Sequence, residues 1–212
     1  MCFFATLDGL HTFFRQSPKR VAGLEEMANK KIGVSAASKT RWTYRSRALK
    51  QLKLDFEIFV RFFETVSHDQ QHWDATTRIM AAGFSSNMAK PDFIFHLVVF
   101  EKIFSLCQTL FMQLEKVQQT VVSAKQRLDF VISSLTKMQS NDAFKNVCDD
   151  VEKLKDAFPE TVETAKRRDH SFDHSDQYHI IIHSVIHHLD LRFSQLGNLA
   201  FVCTLDVERF AI

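Results

Sequence analysis

Residues 93–114 read FIFHLVVFEKIFSLCQTLFMQL and form the longest apolar stretch of the chain. Apolar side chains cover nearly all sides of a helical projection of this stretch, which indicates a helix at the centre of a bundle. Glu101 and Lys102 interrupt the stretch, and a membrane span would bury both charges in lipid. We therefore interpret it as a core helix and expect no membrane partner.

Residues that interrupt helices are scarce in the rest of the chain. The 212 residues include five glycines and three prolines, and 21 phenylalanines stand against two tyrosines. Hairpins and short strands need turn-forming residues, whereas phenylalanine is suited to a packed interior. The composition predicts an all-α fold, an irregular multi-helix bundle.

Apolar residues recur at helical spacing on the N-terminal side of the central stretch. We expect a first helix from Phe3 to Phe14 and a second from Pro18, with Ser17 as its N-cap, to about Lys31. A third is expected from Lys39 or Thr40 to about Ser67, because one buried stripe continues through that range. The segment from His68 to Ser86 is expected to be less regular and to break at Gly83.

On the C-terminal side, the pattern predicts three more helices. The first is a long helix from about Pro91 to Met138, which contains the central stretch. A weaker helix is expected from Asp142 to Arg168. The last should run from Gln177 to about Leu196, where Gly197 and Asn198 would end it.

Positive charge is concentrated in residues 27–54, which we name the basic segment. It contains eight basic residues and no acidic one, so it carries a formal charge of +8 and the rest of the chain carries −6. A basic stripe on an acidic body indicates a polyanionic partner, although a solvated helix face has the same pattern. The eight residues are Lys30, Lys31, Lys39, Arg41, Arg45, Arg47, Lys50 and Lys53.

A tryptophan lies within this segment, in the run KTRWTYRSRAL at residues 39–49. Lysine and arginine can neutralise phosphates, and an exposed indole offers a face on which a base can stack. The alternative is a buried Trp42 that anchors the start of a helix. The candidate nucleic-acid-binding residues are Lys39, Arg41, Trp42, Arg45, Arg47, Lys50 and Lys53.

Motifs of catalysis are missing from the sequence. It contains no GxSxG, no Walker-type GxxxxGK[ST], no GxGxxG and no CxxC, and its five glycines are too dispersed to form a phosphate-binding loop. The four cysteines are scattered, as is typical of reduced thiols in an intracellular protein. We predict no catalytic residue and no cofactor.

Histidines in the C-terminal part have the spacing of a helical metal site. His179, His183 and His187 are four residues apart, as are His170 and His174, so each set would share one face of a helix. No HExxH is present, and no cysteine or acid completes a known ligand spacing. We interpret the histidines as the polar flank of an amphipathic helix and predict no metal site.

Four segments together resemble transposase-like proteins of the hAT superfamily, close to the domesticated kind in zinc finger MYM-type proteins. The run at 39–49 resembles the TRW-and-Arg signature of that superfamily. Residues 3–20 resemble the Phe-rich stretch before the signature, residues 93–116 the helix after it, and LDLRF at 189–193 an element near the end of the helical region.

The resemblance implies a helical insertion from an RNase H-like transposase domain. It gives residues 1–32 as helices flanking the insertion, 33–38 as a linker, 39–197 as the insertion domain and 198–212 as a truncated C-terminal segment. The three catalytic acids of the family have no counterpart in the chain, so it implies a protein that is not an enzyme. It also implies nuclear localisation and a role for Trp42 near a DNA end.

We therefore expect a catalytically inactive fragment of a hAT transposase-like protein that retains at most DNA or protein binding. Two alternatives remain open. The first is a helical interaction module whose basic segment binds an acidic partner protein. The second is a truncated gene product without an independent function, because a core separated from its sheet would expose apolar surface.

Overall fold

A computed structural model describes residues 3–33, 42–114, 121–156 and 174–194. Within these ranges the regular structure is helical and contains no strand, which confirms the predicted all-α fold. The helices are α1 Phe3–Arg15, α2 Pro18–Ala28, α3 Trp42–Leu54, α4 Phe56–His68, α5 Ala75–Met88, α6 Pro91–Leu114, α7 Val121–Met138, α8 Asn141–Lys155 and α9 His174–Phe193.

The described residues group into two compact units. The first unit contains α1 to α5, the beginning of α6 up to Lys102 and the end of α8 from Asn146. The second unit contains the remaining parts of α6 and α8, together with α7 and α9. The division into flanking helices, linker and insertion domain that the resemblance implies stays a prediction.

Phenylalanine side chains form the core of the first unit, with α4 at its centre. The ring of Phe63 lies 5.5 Å from that of Phe13 on α1 and 5.1 Å from that of Phe84 on α5, measured between centroids. Phe62, one residue earlier on α4, lies 5.6 Å from Phe14. Offset and edge-on aromatic pairs at these distances add to the free energy gained from burial.

Arg20 links three helices of this unit. It lies on α2 and donates from Nη1 to the carbonyl oxygen of Phe13 on α1, at 3.0 Å, and from Nη2 to Thr77 Oγ1 on α5, at 2.7 Å. Asp74 caps α5 by accepting from Thr77 N at 2.9 Å. The hydrogen bond from the Thr77 hydroxyl, followed by the one from Thr77 N, lowers the pKa of the Asp74 carboxyl.

The prediction of one helix up to Ser67 was wrong, because the helix is interrupted at Asp55. This residue separates α3 from α4 with a φ of −110° and a ψ of 25°, outside the helical region. The Asp55 carboxylate is buried and forms an ion pair with Lys30, the two atoms Nζ and Oδ1 being 2.6 Å apart. This tertiary partner gives a physical reason for the break, which the continuous apolar stripe conceals.

The predicted break at Gly83 was also wrong. Helix α5 continues through this glycine to Met88, and Ala81, Phe84 and Met88 are buried on either side of it. Gly83 itself is exposed and has a negative φ. The burial of the α5 stripe outweighs the cost of one glycine, which is about 1 kcal/mol relative to alanine.

Helix α6 is the core helix that the apolar stretch predicts. Its side chains from Phe93 to Val99, except His96, are buried. By length and composition the stretch Pro91–Met112 could cross a membrane, but 59% of its apolar window is buried inside the protein. Burial of this kind is usual for the central helix of a bundle.

In the second unit, α7 packs against α9. Tyr178 on α9 is fully buried, and its hydroxyl donates to the carbonyl oxygen of Met138 at the end of α7, at 2.7 Å. Ile182 and Leu189 are also buried on α9, and Val131 and Leu135 are buried on α7. The buried hydroxyl of Tyr178 therefore has a hydrogen-bond acceptor, which is a carbonyl oxygen left unpaired by the end of α7.

Several predicted boundaries fall outside the described residues. The long helix expected from Pro91 to Met138 corresponds to α6 and α7, and residues 115–120 between them lie outside the described ranges. The same applies to most of the linker at 33–38, to residues 157–168 of the weaker helix and to the end of the last helix after residue 194.

Truncating Phe63 should destabilise the protein strongly. Its side chain is fully buried and contacts four other rings, so we expect Phe63→Ala to lower the free energy of unfolding by about 3–5 kcal/mol. The control is Ile79→Ala, because Ile79 is 73% exposed and should cost less than about 0.5 kcal/mol. Urea denaturation of both variants measures the difference, and equal losses would contradict the assigned core.

Filling the exposed helical glycine should stabilise the protein. A Cβ added at Gly83 would meet nothing within 4 Å, and its backbone is already helical. We therefore expect Gly83→Ala to raise the free energy of unfolding by about 0.5–1 kcal/mol, through the higher helix propensity of alanine. A lower melting temperature for this variant would show that α5 does not continue through residue 83.

Candidate nucleic-acid interface

Helix α3 presents its two sides to different surroundings. Ser46, Leu49 and Leu52 are buried, whereas Arg47 and Lys50 are exposed. The two exposed residues are three apart, so they lie on the same face of the helix. Among the described residues, neither Arg47 nor Lys50 takes part in an ion pair.

Lys53 is turned towards acidic partners within the first unit. Its Nζ lies 3.0 Å from Glu101 Oε2 on α6, and both side chains are largely buried. Lys102, the next residue of α6, lies 2.7 Å from Asp150 on α8. The hydrogen bond from Lys102 lowers the pKa of Asp150, and the charge of Lys53 contributes in the same direction.

Arg45 is held against an aromatic ring. Its guanidinium carbon lies 5.1 Å from the ring centroid of Phe4 on α1, within the range of a cation–π interaction. The side chain is half-buried, in contrast to the exposed Arg47 two residues later. Arg45 therefore stabilises the packing of α3 on α1, while part of its surface still reaches solvent.

Lys30 is the first basic residue of the basic segment. It follows α2 and pairs with the buried Asp55, whose second carboxylate oxygen accepts from Gln51 Nε2. The Asp55 side chain is only 3% exposed, so loss of Lys30 would leave a buried charge without its cation. This pair connects the end of α2 to the junction of α3 and α4.

Two basic residues that precede the basic segment, Lys19 and Arg20, also contact other parts of the fold. Arg20 contacts the Phe13 ring and Thr77, while Lys19 lies 4.8 Å from the Trp73 ring centroid and donates to the carbonyl oxygen of His72. Both side chains therefore hold the fold together, and their charge is only partly available to a ligand.

The structure thus divides the seven candidate residues into three groups. Arg47 and Lys50 share an exposed face, whereas Arg45 and Lys53 make contacts inside the first unit. Lys39, Arg41 and the side chain of Trp42 lie outside the described part of the chain. Nucleic-acid binding by the seven residues stays a prediction, and Lys53 pairs with Glu101.

The acidic and aromatic partners of the basic residues could not be predicted from the sequence. Glu101 pairs with Lys53 from 48 positions away, and Phe4 lies below Arg45 from a different helix. One signal was available: Glu101 and Asp55 are single acids within apolar stripes, and a charge in such a position needs a partner. The sequence carries no indication of which cation that partner would be.

The C-terminal histidines line an open cleft of about 580 Å³ on the second unit. His179, His183 and His187 line it together with Gln139. In the described ranges, no three histidine, cysteine, aspartate or glutamate side chains come together as a metal ion would need. The expectation of no metal site stays a prediction.

No protein-family model, curated protein or solved structure matches the chain.

Removing the cation that pairs with the buried Asp55 should destabilise the fold, whereas removing Lys50 should not. We expect Lys30→Met to lower the free energy of unfolding by about 1–3 kcal/mol, because a buried acceptor loses its charged donor. The matched control is Lys50→Met, which should stay within about 0.5 kcal/mol of the parent. Chemical denaturation measures both.

A second substitution tests the cause of this loss. Adding Asp55→Asn to Lys30→Met removes the unpaired buried charge, so part of the lost stability should return. No recovery in the double variant would mean that Lys30 acts through something other than its ion pair.

Proposed function

We propose that this chain is a non-catalytic helical part of a hAT transposase-like protein that binds nucleic acid through its basic segment. The observation that carries the proposal is the exposed face of α3, where Arg47 and Lys50 lie without an ion-pair partner among the described residues. These two cations extend into solvent from a segment of the chain that contains no acid.

The chemistry of this face favours contact with phosphates. Exposed lysine and arginine side chains bind the nucleic-acid backbone by releasing condensed counterions, which needs no base-specific geometry. The rest of the chain carries a formal charge of −6, so the basic segment is the part that a polyanion would approach. We therefore propose sequence-independent binding with strong dependence on salt.

The absence of catalysis is proposed on two grounds. The sequence lacks the motifs of hydrolases and nucleotide-binding enzymes, and the acids of the transposase family have no counterpart in it. The all-α fold of the described residues is also compatible with the helical insertion that the resemblance implies. Nuclear localisation is part of the same proposal.

A second candidate function is binding of an acidic amphipathic peptide. Leu54 is 69% exposed and lies on the same side of α3 as Lys50, four residues earlier. An exposed leucine beside two cations is suited to a peptide that carries both carboxylates and apolar side chains. Nucleic acid would use the two cations and leave Leu54 without a role.

The salt dependence of DNA binding tests the proposed function. Each phosphate contact contributes about −0.9 to the slope of log K against log salt concentration on duplex DNA. We expect Arg47→Ala and Lys50→Ala each to flatten the slope by about 0.9, measured by fluorescence anisotropy at several salt concentrations. Lys125→Ala is the control, because Lys125 is exposed on α7 outside the basic segment.

Two results would contradict this proposal. One is a protein that does not bind duplex or single-stranded DNA even at low salt. The other is a slope that Lys125→Ala changes as much as Arg47→Ala does, since binding would then follow total charge. The second candidate function would be favoured if the protein bound an acidic peptide but no DNA, and if Leu54→Ser abolished the peptide binding.

A further inference from the structure

The aromatic side chains of the first unit differ in exposure. Among those described, most phenylalanines are buried, but Phe4 and Phe100 reach the surface, as does Trp73 elsewhere in the unit. His96, one turn before Phe100 on α6, is also part-exposed. A small aromatic surface is therefore present where α1 and α6 meet.

The rings of this surface form a continuous series. The centroid of Phe4 lies 4.7 Å from that of Phe100, and Phe100 lies 5.9 Å from His96 with an angle of only 15° between the planes. Phe3, which is buried, contacts Phe100 at 5.4 Å from the interior side. The buried Phe3 also contacts Phe4 and His96, so packing sets the positions of these part-exposed rings before any ligand arrives.

A cation lies over one ring of the same surface. The Arg45 guanidinium carbon is 5.1 Å from the Phe4 ring centroid, and Arg45 belongs to the basic segment. An arginine beside aromatic rings combines a donor for phosphate or base edges with a surface for stacking. Side chains from three helices, α1, α3 and α6, bring these two properties together.

We propose that Phe4, His96 and Phe100, with the Arg45 guanidinium over the Phe4 ring, form a stacking site for unpaired bases of a single-stranded nucleic acid. This inference rests on the proposed function, because it names the form of nucleic acid that the basic segment would hold. Bases within a duplex are stacked on one another and cannot reach such a surface, whereas unpaired bases expose both faces.

The alternative for these rings is a packing role at the margin of the core. That role would make each ring important for stability. It would not make the protein bind a nucleic-acid strand that carries bases more tightly than a strand that lacks them. A ligand that keeps the phosphates and lacks the bases separates the two roles, since it retains the electrostatic contacts and removes the stacking.

The experiment compares two labelled single strands of equal length by fluorescence anisotropy with the full chain. One is oligothymidine and the other consists of abasic nucleotides. We expect the oligothymidine to bind more tightly by about fivefold to a hundredfold, which is the affinity equivalent of stacking one base. Phe4→Leu should remove most of this difference, and it should change the affinity for the abasic strand far less, because only the contact between Arg45 and the ring is lost there.

The control is Phe130→Leu, the same substitution at a phenylalanine that is 64% exposed on the second unit. It should change neither affinity. His96→Leu provides a second test in case Phe4→Leu lowers the melting temperature, because His96 is part-exposed and its loss should also reduce the preference for oligothymidine.

The outcomes separate this inference from the proposed function. Equal affinity of the parent protein for the two strands would overturn the stacking site, and so would a preference that both Phe4→Leu and His96→Leu leave intact. The proposed function would survive either result if Arg47→Ala still weakened binding to both strands. If neither strand bound at low salt, both the stacking site and the proposed function would be overturned.

Discussion

The first unit depends on the interlocking of phenylalanine rings around α4. Phe62 and Phe63 contact Phe14 and Phe13 on α1, and Phe63 also contacts Phe84 on α5. Phe84 and Phe62 also pack directly against a glycine of a neighbouring helix. Gly9 and Gly23 allow this approach, since a Cβ at either position would lie 3.3 Å from a ring carbon of Phe84 or Phe62 respectively.

The packing of these rings also decides which positive charges are available to a ligand. Because α1, α2 and α5 meet around α4, Arg20 finds two acceptors on neighbouring helices and is used to hold them together. Lys30 and Lys53 are drawn to Asp55 and Glu101 in the same way. The formal charge of a segment is therefore an upper limit to the charge that a polyanion can contact.

Helix α3 illustrates how one helix serves two purposes. Its inner side contributes Leu49 and Leu52 to the core, and its outer side carries Arg47 and Lys50 into solvent. The buried ion pair at Asp55 ends the helix and holds its last turn in place. An exposed cationic face on a firmly packed helix is pre-organised, which lowers the entropy lost on binding.

The sequence by itself determined the fold class, the core position of α6 and the location of the positive charge. These properties follow from composition and periodicity, which act locally along the chain. The tertiary structure alone decided the break at Asp55, the continuity of α5 through Gly83 and the division of the basic residues into those that contact other helices and those that extend into solvent. Each of these depends on a partner distant in sequence, whose burial or charge outweighs the local preference of the chain.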